Sequence, residues 1–398
     1  MQNEPLGTRH SALGTRYDIV IVGGRVAGSS SAIGLARAGY QVLLVERQAM
    51  PSDTLSTHVL WPDGIAALDR LGVLERVLAT GAPKAHGFRL CHGEDSIATQ
   101  LIPLDGYDYL LCVRRQYLDG ILWEVAANTP GVTALDRTNV SGIRERDGQV
   151  IGVEIGDHSV DADLVIGADG RGSIVARSAS AVERDIVPAG RYWYYGYFAG
   201  ATPPDPAELT ESDTETDMVG AIPTNDGLLM VVYSAYDEDF AAFRANHEAH
   251  YLARIHAHPW IARMLDGATL AAPVRGISGV RGYFRTSHGP GWALIGDALH
   301  QKDPLVARGI NDALLEAEWL AEALRNGITS DALDTYGTIT YAGTRSKALN
   351  ARMLSRPDRY MTEEQGAKLS RELTTPEGLA GFLLLEYSDT LTFDAYFP

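Results

Sequence analysis

The chain has 398 residues, of which 45% are hydrophobic and 21% are charged, the composition of an ordinary folded protein. Its length exceeds the roughly 250 residues at which a single hydrophobic core stops growing, so we expect two packed units or one domain with a large insertion. The 34 basic and 51 acidic residues give a formal net charge of −17. This charge disfavours binding to nucleic acid or to an anionic membrane surface.

Cysteine content and hydropathy exclude further classes. The two cysteines, Cys91 and Cys112, are too few and too far apart in sequence for a zinc site or a disulfide framework. Residues 1–16 lack the apolar core of a secretion signal, and no later run approaches the ~18 apolar residues of a membrane span. We therefore expect a cytoplasmic protein without a metal centre or a membrane span, with a loose tail before Tyr17.

The first predicted elements form a βαβ unit. Residues 17–22 are a nearly continuous β-branched run, typical of a strand buried on both faces of a parallel sheet. A glycine turn, a helix and a second strand at 41–46 follow. This order is typical of dinucleotide binding, with a tight turn at Gly23, close helix packing at Gly28 and the pyrophosphate at the helix N-terminus. Glu46, which ends the second strand, is predicted to bind the ribose hydroxyls.

Arg25 departs from the usual glycine pattern of this turn. It occupies the second glycine position, where the backbone normally approaches the pyrophosphate without a side chain in the way. Two interpretations are open at this point: the side chain weakens the site, or it supplies a cation that faces a phosphate. The unit alone does not distinguish NAD from FAD, since both contain an adenosine ribose and a pyrophosphate.

The later elements indicate a second layer. In chain order, the predicted elements are helices at 62–78 and 117–127, a meander of strands at 132–166, antiparallel strands at 191–236 with a hairpin turn at 225–227, a buried strand at 292–295, a helix at 310–324 and a mainly helical segment at 331–398. The run at 192–198 has aromatic residues on both alternating faces. We expect one face to pack into a core and the other to line a pocket.

Four segments resemble the FAD-dependent monooxygenases of the para-hydroxybenzoate hydroxylase fold, the aromatic and polyketide hydroxylases that have the geranylgeranyl reductases as cousins. They are residues 23–46, the Arg115-x-x-Leu118 pair, the GADGRGS segment at 167–173, and the GDALH segment at 296–300 followed by residues 304–311. They run in the family's order over about 300 residues, so the set is far more specific than any single segment.

The resemblance implies a fold of the α/β class, with a Rossmann-like FAD-binding domain on a parallel sheet, an antiparallel-sheet substrate domain and a helical C-terminal segment. The expected boundaries are residues 17–85, 105–185 and 275–330 for the FAD-binding domain, 86–104 and 186–274 for the substrate-binding domain, and 331–398 for the helical segment.

The resemblance also implies further FAD contacts. Asp297 follows a buried strand and resembles the acid that accepts hydrogen bonds from the ribityl hydroxyls. The other implied contacts are Arg47 beside the adenosine, Thr57 beside the ribityl chain, Arg115 at the phosphate or ribityl groups, Asp169, and the loop and helix start at Pro304, Gly309, Ile310 and Asn311. The amides of that helix start would face the N1 and O2 edge of the flavin, where charge develops on reduction.

Structural alternatives accompany several of these residues. Arg47 and, less readily, Arg115 could instead be solvated surface cations, and Asp169 could cap the helix that begins at Ser173. His300 could relay a proton or make a structural hydrogen bond. Val306 stands where the family often has glycine, which implies a stiffer loop.

The implied activity is hydroxylation or epoxidation of an electron-rich small molecule in secondary metabolism, through a flavin C4a-hydroperoxide. Molecular oxygen would be the co-substrate, and NAD(P)H or a separate flavin reductase would supply electrons. The alternatives are an FAD-dependent reductase or dehydrogenase of an alkene or prenyl substrate without oxygen insertion, and a nucleotide-binding protein without redox function. The sequence contains no second glycine-rich βαβ unit, which disfavours a disulfide reductase. It also has no Trp-x-Trp-x-Ile-Pro segment, which makes halogenation a minor option.

Overall fold

The computed structural model describes residues 14–53 and 56–387. Most of the predicted tail before Tyr17, and residues 388–398 of the predicted helical segment, lie outside this range. The strands are β1 (Arg16–Val22), β2 (Val42–Val45), β3 (Val59–Leu60), β4 (Lys84–Ala85), β5 (Gly87–His92), β6 (Asp95–Gln100), β7 (Leu110–Cys112), β8 (Val132–Leu135), β9 (Val140–Arg146), β10 (Gln149–Ile155), β11 (His158–Gly167), β12 (Glu183–Val187), β13 (Arg191–Ala199), β14 (Glu208–Asp213), β15 (Asp217–Thr224), β16 (Leu228–Tyr236), β17 (Thr269–Leu270), β18 (Arg275–Ile277), β19 (Gly282–Arg285), β20 (His288–Gly289), β21 (Trp292–Leu294) and β22 (His300–Gln301).

Helices connect and cover these strands. They are α1 (Val26–Arg37), α2 (Pro62–Arg70), α3 (Leu74–Leu78), α4 (Arg115–Ala127), α5 (Ile174–Ser178), α6 (Phe240–Ala245), α7 (His247–His256), α8 (Pro259–Met264), α9 (Gly309–Ala323), α10 (Ser330–Ser355), α11 (Pro357–Tyr360), α12 (Glu363–Glu372) and α13 (Pro376–Tyr387). Among the described residues, none of the helices has the length and apolar character that a membrane crossing requires.

The first large sheet has a parallel centre in the order β21-β11-β1-β2-β8. The central strands β1, over its second half, and β2 are buried on both faces, as the β-branched run of β1 predicted. The register pairs Val22 of β1 with Val45 of β2 and Gly167 of β11, and pairs Gly167 with Leu294 of β21. The four strands therefore end at the same level.

The second large sheet runs β17-β13-β16-β15-β14-β5-β6 and is antiparallel except where β14 pairs with β5. The predicted hairpin turn is present, since residues 225–227 connect β15 to β16. Alternate side chains of β13 enter different cores. Tyr192 and Phe198 pack against α6 to α8, whereas Trp193, Tyr195 and Tyr197 face the other side of the sheet.

Two predicted helices differ from the observed ones. The single helix predicted over residues 62–78 is wrong, because Gly72 adopts a φ of +74° and separates α2 from α3. That conformation suits glycine and ends a helix. The helix predicted over residues 117–127 begins two residues earlier, at Arg115, after Arg114 in an extended conformation.

Candidate functional site

The carboxyl ends of the parallel strands bring together four residues that the sequence analysis singled out. Gly23 follows β1, Glu46 follows β2, Asp169 lies two residues after β11, and Asp297 lies three residues after β21. All four line one cavity of about 760 Å³. In open α/β sheets, ligands bind in the crevice outside the carboxyl ends of the strands, so this cavity is the candidate site.

The predicted site residues divide into two groups. Those that line the cavity are Gly23, Glu46, Arg47, Thr57, Arg115, Asp169, Asp297, Pro304, Gly309 and Ile310. Gly28 and Asn311 do not line it. Gly28 acts as a packing residue, because a Cβ there would lie 1.8 Å from the carbonyl oxygen of Gly23. That contact explains why the first helix can approach the strand only with glycine at this position.

Glu46 is buried and organises the first turn. Its carboxylate accepts hydrogen bonds from the backbone amides of Gly24 at 2.8 Å and Gln48 at 2.9 Å. Each carboxylate oxygen can accept a second hydrogen bond, so Glu46 can still bind hydroxyl groups of a ligand. Arg47, beside it, is exposed at the rim of the cavity.

Arg115 is not a freely solvated cation. Its guanidinium makes a bidentate ion pair with Asp119, one helical turn away, at 3.0 and 2.9 Å. Asp119 is fully buried, and burial raises the pKa of its carboxyl group while Arg115 opposes that shift. The sequence analysis did not predict this pair, although an arginine and an aspartate four residues apart on a helix are expected to form one.

Asp169 contacts the start of α5 and also lines the cavity. One of its carboxylate oxygens accepts a hydrogen bond from the amide of Ile174 at 2.6 Å. Ser173 is the N-cap itself, since its hydroxyl accepts from the amide of Ala176 at 3.0 Å. Burial raises the pKa of Asp169, whereas the hydrogen bonds from α5 lower it.

Asp297 faces the cavity at the end of β21. Its side chain is exposed to the cavity. Desolvation by the surrounding walls raises the pKa of its carboxyl group, against the opposing charges of His300 and Arg171. His300 makes the structural contact that was one of its two predicted roles. Its Nε2 lies 2.5 Å from Glu316 Oε1, and Glu316 also accepts from the amide of Gly296 at 2.6 Å.

The loop before α9 brings backbone amides to the cavity. Pro304, Gly309 and Ile310 line it, and the first hydrogen bond of α9 runs from the amide of Asp312 to the carbonyl of Arg308. The preceding amides at the helix start therefore have no intrahelical partner. Asn311 directs its side chain away from this edge, since its amide nitrogen lies 2.5 Å from a carboxylate oxygen of Asp63.

Buried ion pairs that the sequence analysis missed support this loop. Arg308 is almost fully buried and pairs through both terminal nitrogens with Asp63 at the start of α2. Lys302 pairs with Asp312 in the first turn of α9. Arg308 and Asp63 are separated by 245 residues, so no local pattern could have predicted the pair.

The opposite wall of the cavity comes from the antiparallel sheet. Trp193, Tyr194 and Tyr195 of β13 line it together with Val232 and Ile277. The prediction that one aromatic face packs into a core and the other borders a pocket fits Tyr192 and Phe198, which pack, and Trp193 and Tyr195, which line the cavity. The cavity is thus polar along the parallel sheet and largely aromatic along the second sheet.

Several features of the cavity fit a bound group. A Cβ added to Gly309 or Gly170 would meet no atom of the described residues within 4 Å. The indole nitrogen of Trp193 and Nδ1 of His300 are buried and have no hydrogen-bond partner among those residues. Buried polar atoms normally have partners, so these atoms indicate a ligand with complementary groups.

Comparison with known proteins establishes the class. Residues 16–346 match the model of the FAD binding domain family, and the chain belongs to that family. The α/β fold class and the FAD requirement predicted from the sequence are thereby confirmed. The protein is an FAD-dependent oxidoreductase of the monooxygenase family.

Two relatives extend over most of the chain. The chain is 30% identical over 366 residues to the 6-methylpretetramide 4-monooxygenase of Streptomyces rimosus, covering 87% of this chain and 86% of that protein. It is 26% identical over 355 residues to the menaquinone reductase of Mycolicibacterium smegmatis, covering 82% of this chain and 81% of that protein.

Solved structures share the fold. A probable FAD-dependent monooxygenase of Pseudomonas aeruginosa, PqsL, superposes with a TM-score of 0.72 at 22% identity, over 87% of this chain and 98% of that one. The myxobacterial chondrochloren halogenase CndH superposes with a TM-score of 0.76 at 22% identity, over 84% of this chain and 80% of that one. Since one fold carries both reactions, the chemistry depends on the residues of the site.

His58, next to the cavity residue Thr57, is a buried histidine that stays neutral. Its ring stacks on Tyr197 with centroids 5.8 Å apart, and its Nε2 makes a short hydrogen bond with the Tyr197 hydroxyl. Burial, reinforced by the positive charges of Arg115 and Arg114, lowers the pKa of His58 from 6.5 to about 3. Between pH 6.5 and about pH 3, His58 therefore binds a proton in the unfolded chain but not in the folded protein.

The first prediction follows from this shift. Above pH 6.5 the contribution of neutral His58 to stability is fully present, and it decreases as the pH falls from 6.5 towards 3, by about 1.4 kcal/mol per pH unit at most. The substitution His58→Gln should therefore make the free energy of unfolding less dependent on pH in this range. Urea unfolding at pH 7 and pH 4.5 measures the difference between the two proteins.

The control for this prediction is His256→Gln, which changes an exposed histidine at the end of α7. It should leave the pH dependence of stability unchanged. An identical loss of stability between pH 7 and pH 4.5 in wild type and in His58→Gln would contradict the prediction.

Proposed function

We propose that this enzyme is an FAD-dependent monooxygenase that hydroxylates or epoxidises an electron-rich organic substrate. The observation that carries the proposal is the two-sided cavity, in which the carboxyl edge of the parallel sheet faces the aromatic wall of β13. A cofactor on the polar side and an apolar, planar substrate on the aromatic side would share one enclosed space. Secondary metabolism is the proposed context, because the relative from Streptomyces rimosus is a 6-methylpretetramide monooxygenase.

The proposed placement of FAD follows the order of the site residues along the sheet edge. Glu46 would accept hydrogen bonds from the adenosine ribose beside Arg47, and the free amides at the start of α1 would face the pyrophosphate. Arg115 and Asp169 would lie next to the phosphates and the ribityl chain. Asp297 would accept hydrogen bonds from the ribityl hydroxyls, with Thr57 nearby.

The loop at 304–308 and the start of α9 would hold the flavin ring. Pro304 would border it, and the amides of Gly309, Ile310 and Asn311 would face the edge where negative charge develops on reduction. Asn311 can contribute only its backbone amide, because its side chain is bound to Asp63 and to the backbone of Trp61.

The reaction would combine cofactor chemistry with orientation by the protein. Bound FAD would supply electron transfer and the activation of molecular oxygen, and NAD(P)H, directly or through a separate flavin reductase, would supply the electrons. Trp193 and Tyr195 would stack on an aromatic substrate, and the unpartnered indole N–H of Trp193 would donate a hydrogen bond to a substrate oxygen. The apolar side chains of Val232 and Ile277 would exclude water.

A second candidate function is reduction of an alkene or prenyl substrate without oxygen insertion. The observation that favours it is the similarity to a menaquinone reductase over 82% of the chain. The two candidates use the same cofactor site and differ in whether oxygen is consumed.

Oxygen uptake separates the two functions. The FAD-loaded enzyme is supplied with NADH or NADPH, with and without an added flavin reductase, and a panel of phenolic polycyclic and prenylated quinone compounds. The monooxygenase proposal predicts substrate-dependent oxygen uptake and incorporation of one atom from ¹⁸O₂ into the product. Product formation that continues without oxygen and adds two hydrogens instead would establish the reductase.

A second prediction concerns the affinity for FAD. Asp297→Ala removes a charged acceptor and would leave ribityl hydroxyls without a partner, a loss of roughly 1.5–3 kcal/mol or about ten- to a hundredfold in affinity. Asp297→Asn, which keeps a neutral acceptor, should have a smaller effect. FAD titration of the deflavinated protein, followed by fluorescence quenching, measures both.

Asp157→Ala is the control, because Asp157 is exposed in a turn of the meander between β10 and β11. It should bind FAD as wild type does. Wild-type affinity in Asp297→Ala would overturn the proposed placement of the flavin.

A third prediction concerns the reduction potential. The free amides at the start of α9 would stabilise anionic reduced flavin, by a fraction of a kcal/mol to about 2 kcal/mol. Ile310→Pro deletes one of these amides at a position in the first turn that tolerates proline. We expect the two-electron potential to fall by tens of millivolts at most, at about 30 mV per 1.4 kcal/mol.

Ile310→Val is the matched control, since it keeps the amide and most of the buried side chain. Spectroelectrochemical titration of both FAD-loaded variants beside wild type gives the potentials. An unchanged or higher potential in a folded, FAD-loaded Ile310→Pro protein would mean that α9 does not point at the flavin.

A further inference from the structure

Arg25 stands at the entrance of the first helix, at a position where its side chain reaches the cavity. It is the N-cap residue of α1, in an extended conformation with φ −83° and ψ −161°, and it lines the cavity next to Gly23. It is partly buried, and its Nε is shielded from solvent without a hydrogen-bond partner among the described residues. The Arg25 side chain therefore borders the cavity and is partly shielded from solvent.

The other arginines that line the cavity are either paired or exposed. Arg115 and Arg308 are held by bidentate contacts with Asp119 and Asp63. Arg47, Arg171 and Arg177 are exposed at the rim. Arg25 differs from both groups. It is partly buried, and within the described part of the chain it makes no ion pair within 4 Å.

Asp119 and Glu46 are the acids of this region, and neither forms an ion pair with Arg25 within 4 Å. Asp119 is close enough for the charge of Arg25 to influence its pKa, but both of its oxygens are bound by Arg115. Glu46 accepts from the amides of Gly24 and Gln48. A partly desolvated guanidinium without a counter-ion is unfavourable, so the site is suited to an anion supplied by a ligand.

The start of α1 offers complementary groups for the same anion. The first hydrogen bond of this helix runs from the amide of Ser29 to the carbonyl of Arg25, so the preceding amides are free. The first turn contains no acidic side chain, and no side chain caps it. Free amides and a guanidinium that converge on one cavity form a phosphate site that is stronger than a helix start alone.

We propose that Arg25 binds the pyrophosphate of FAD, and that it replaces by a charged side chain the close backbone approach that glycine provides at this position in the usual dinucleotide-binding turn. This inference rests on the flavin placement proposed above. Of the two interpretations that the sequence left open, it takes the one in which the Arg25 side chain supplies a cation that faces a phosphate. Arg25 would then be a binding residue and not an obstacle.

The test uses Arg25→Gly, because the two interpretations predict opposite results for it. Glycine restores the usual turn and is well tolerated at an N-cap. If Arg25 obstructs the pyrophosphate, the variant binds FAD more tightly than wild type does. If Arg25 binds the pyrophosphate, FAD affinity falls by about ten- to a hundredfold, the value of a lost charge-assisted hydrogen bond. Titration of the deflavinated full-length protein measures the dissociation constant.

Ligands that lack phosphates show whether the loss of affinity in Arg25→Gly arises at the phosphates. Arg25→Gly should weaken ADP binding by a similar factor and leave adenosine and riboflavin binding within about twofold of wild type. The wild-type affinity for ADP should also fall more steeply with salt than that of the variant, because a charge contact is screened. An equal loss for adenosine and ADP would mean that the substitution disturbs the turn and would overturn the proposal.

Further variants separate charge from folding. Arg25→Met keeps the length of the side chain and should lose ADP affinity as Arg25→Gly does, whereas Arg25→Lys should retain part of it. Arg146→Gly removes the same charge from an exposed position on β9 and should leave the affinities for FAD and ADP unchanged. If Asp297→Ala loses FAD affinity while both Arg25→Gly and Arg25→Met keep it, the flavin placement stands and this inference fails.

Discussion

The register of the parallel sheet is the constraint on which the site depends. β1, β2, β11 and β21 pair so that their carboxyl ends lie at one level. The strands are buried on both faces, and a shift of one residue would exchange those faces and misplace every buried side chain. The turns that follow the strands are thereby held along one edge, where Glu46 locks the first of them through the amides of Gly24 and Gln48.

A second constraint couples the two ends of that edge. The start of α9 is held by buried charges, with Arg308 on Asp63, Lys302 on Asp312, and Glu316 between His300 and the amide of Gly296. Each of these charges has a partner, which matters because an unpaired buried charge costs several kcal/mol. The network ties the end of β21, the loop at 304–308 and α2 into one support. Free amides at a helix start can act on a ligand only if the helix is fixed in this way.

The second sheet determines what can lie opposite the polar edge. Alternation along β13 divides its aromatic residues between two cores and gives Trp193 and Tyr195 to the cavity. The same fold serves a halogenase, a probable monooxygenase and a reductase among the similar proteins. The reaction must therefore be set by the few side chains that line the cavity and by the access of oxygen and substrate to it, and not by the architecture.

The sequence by itself determined the βαβ unit, the tight turn at Gly23 and the close packing at Gly28, because strand period and turn chemistry are encoded within a few neighbouring residues. The alternating faces of the aromatic strand were predictable for the same reason. The resemblance to a known family, carried by four sequence segments, supplied most of the ten predicted residues that line the cavity. The tertiary structure alone decided that Arg308 pairs with Asp63 across 245 residues and that the side chain of Asn311 points away from the cavity. It also decided that Arg25 borders the cavity without an ion pair to a carboxylate of the described residues. These outcomes depend on which distant segments pack together. No local pattern carries that information, since the partner of a buried charge is chosen by geometry after the chain has folded.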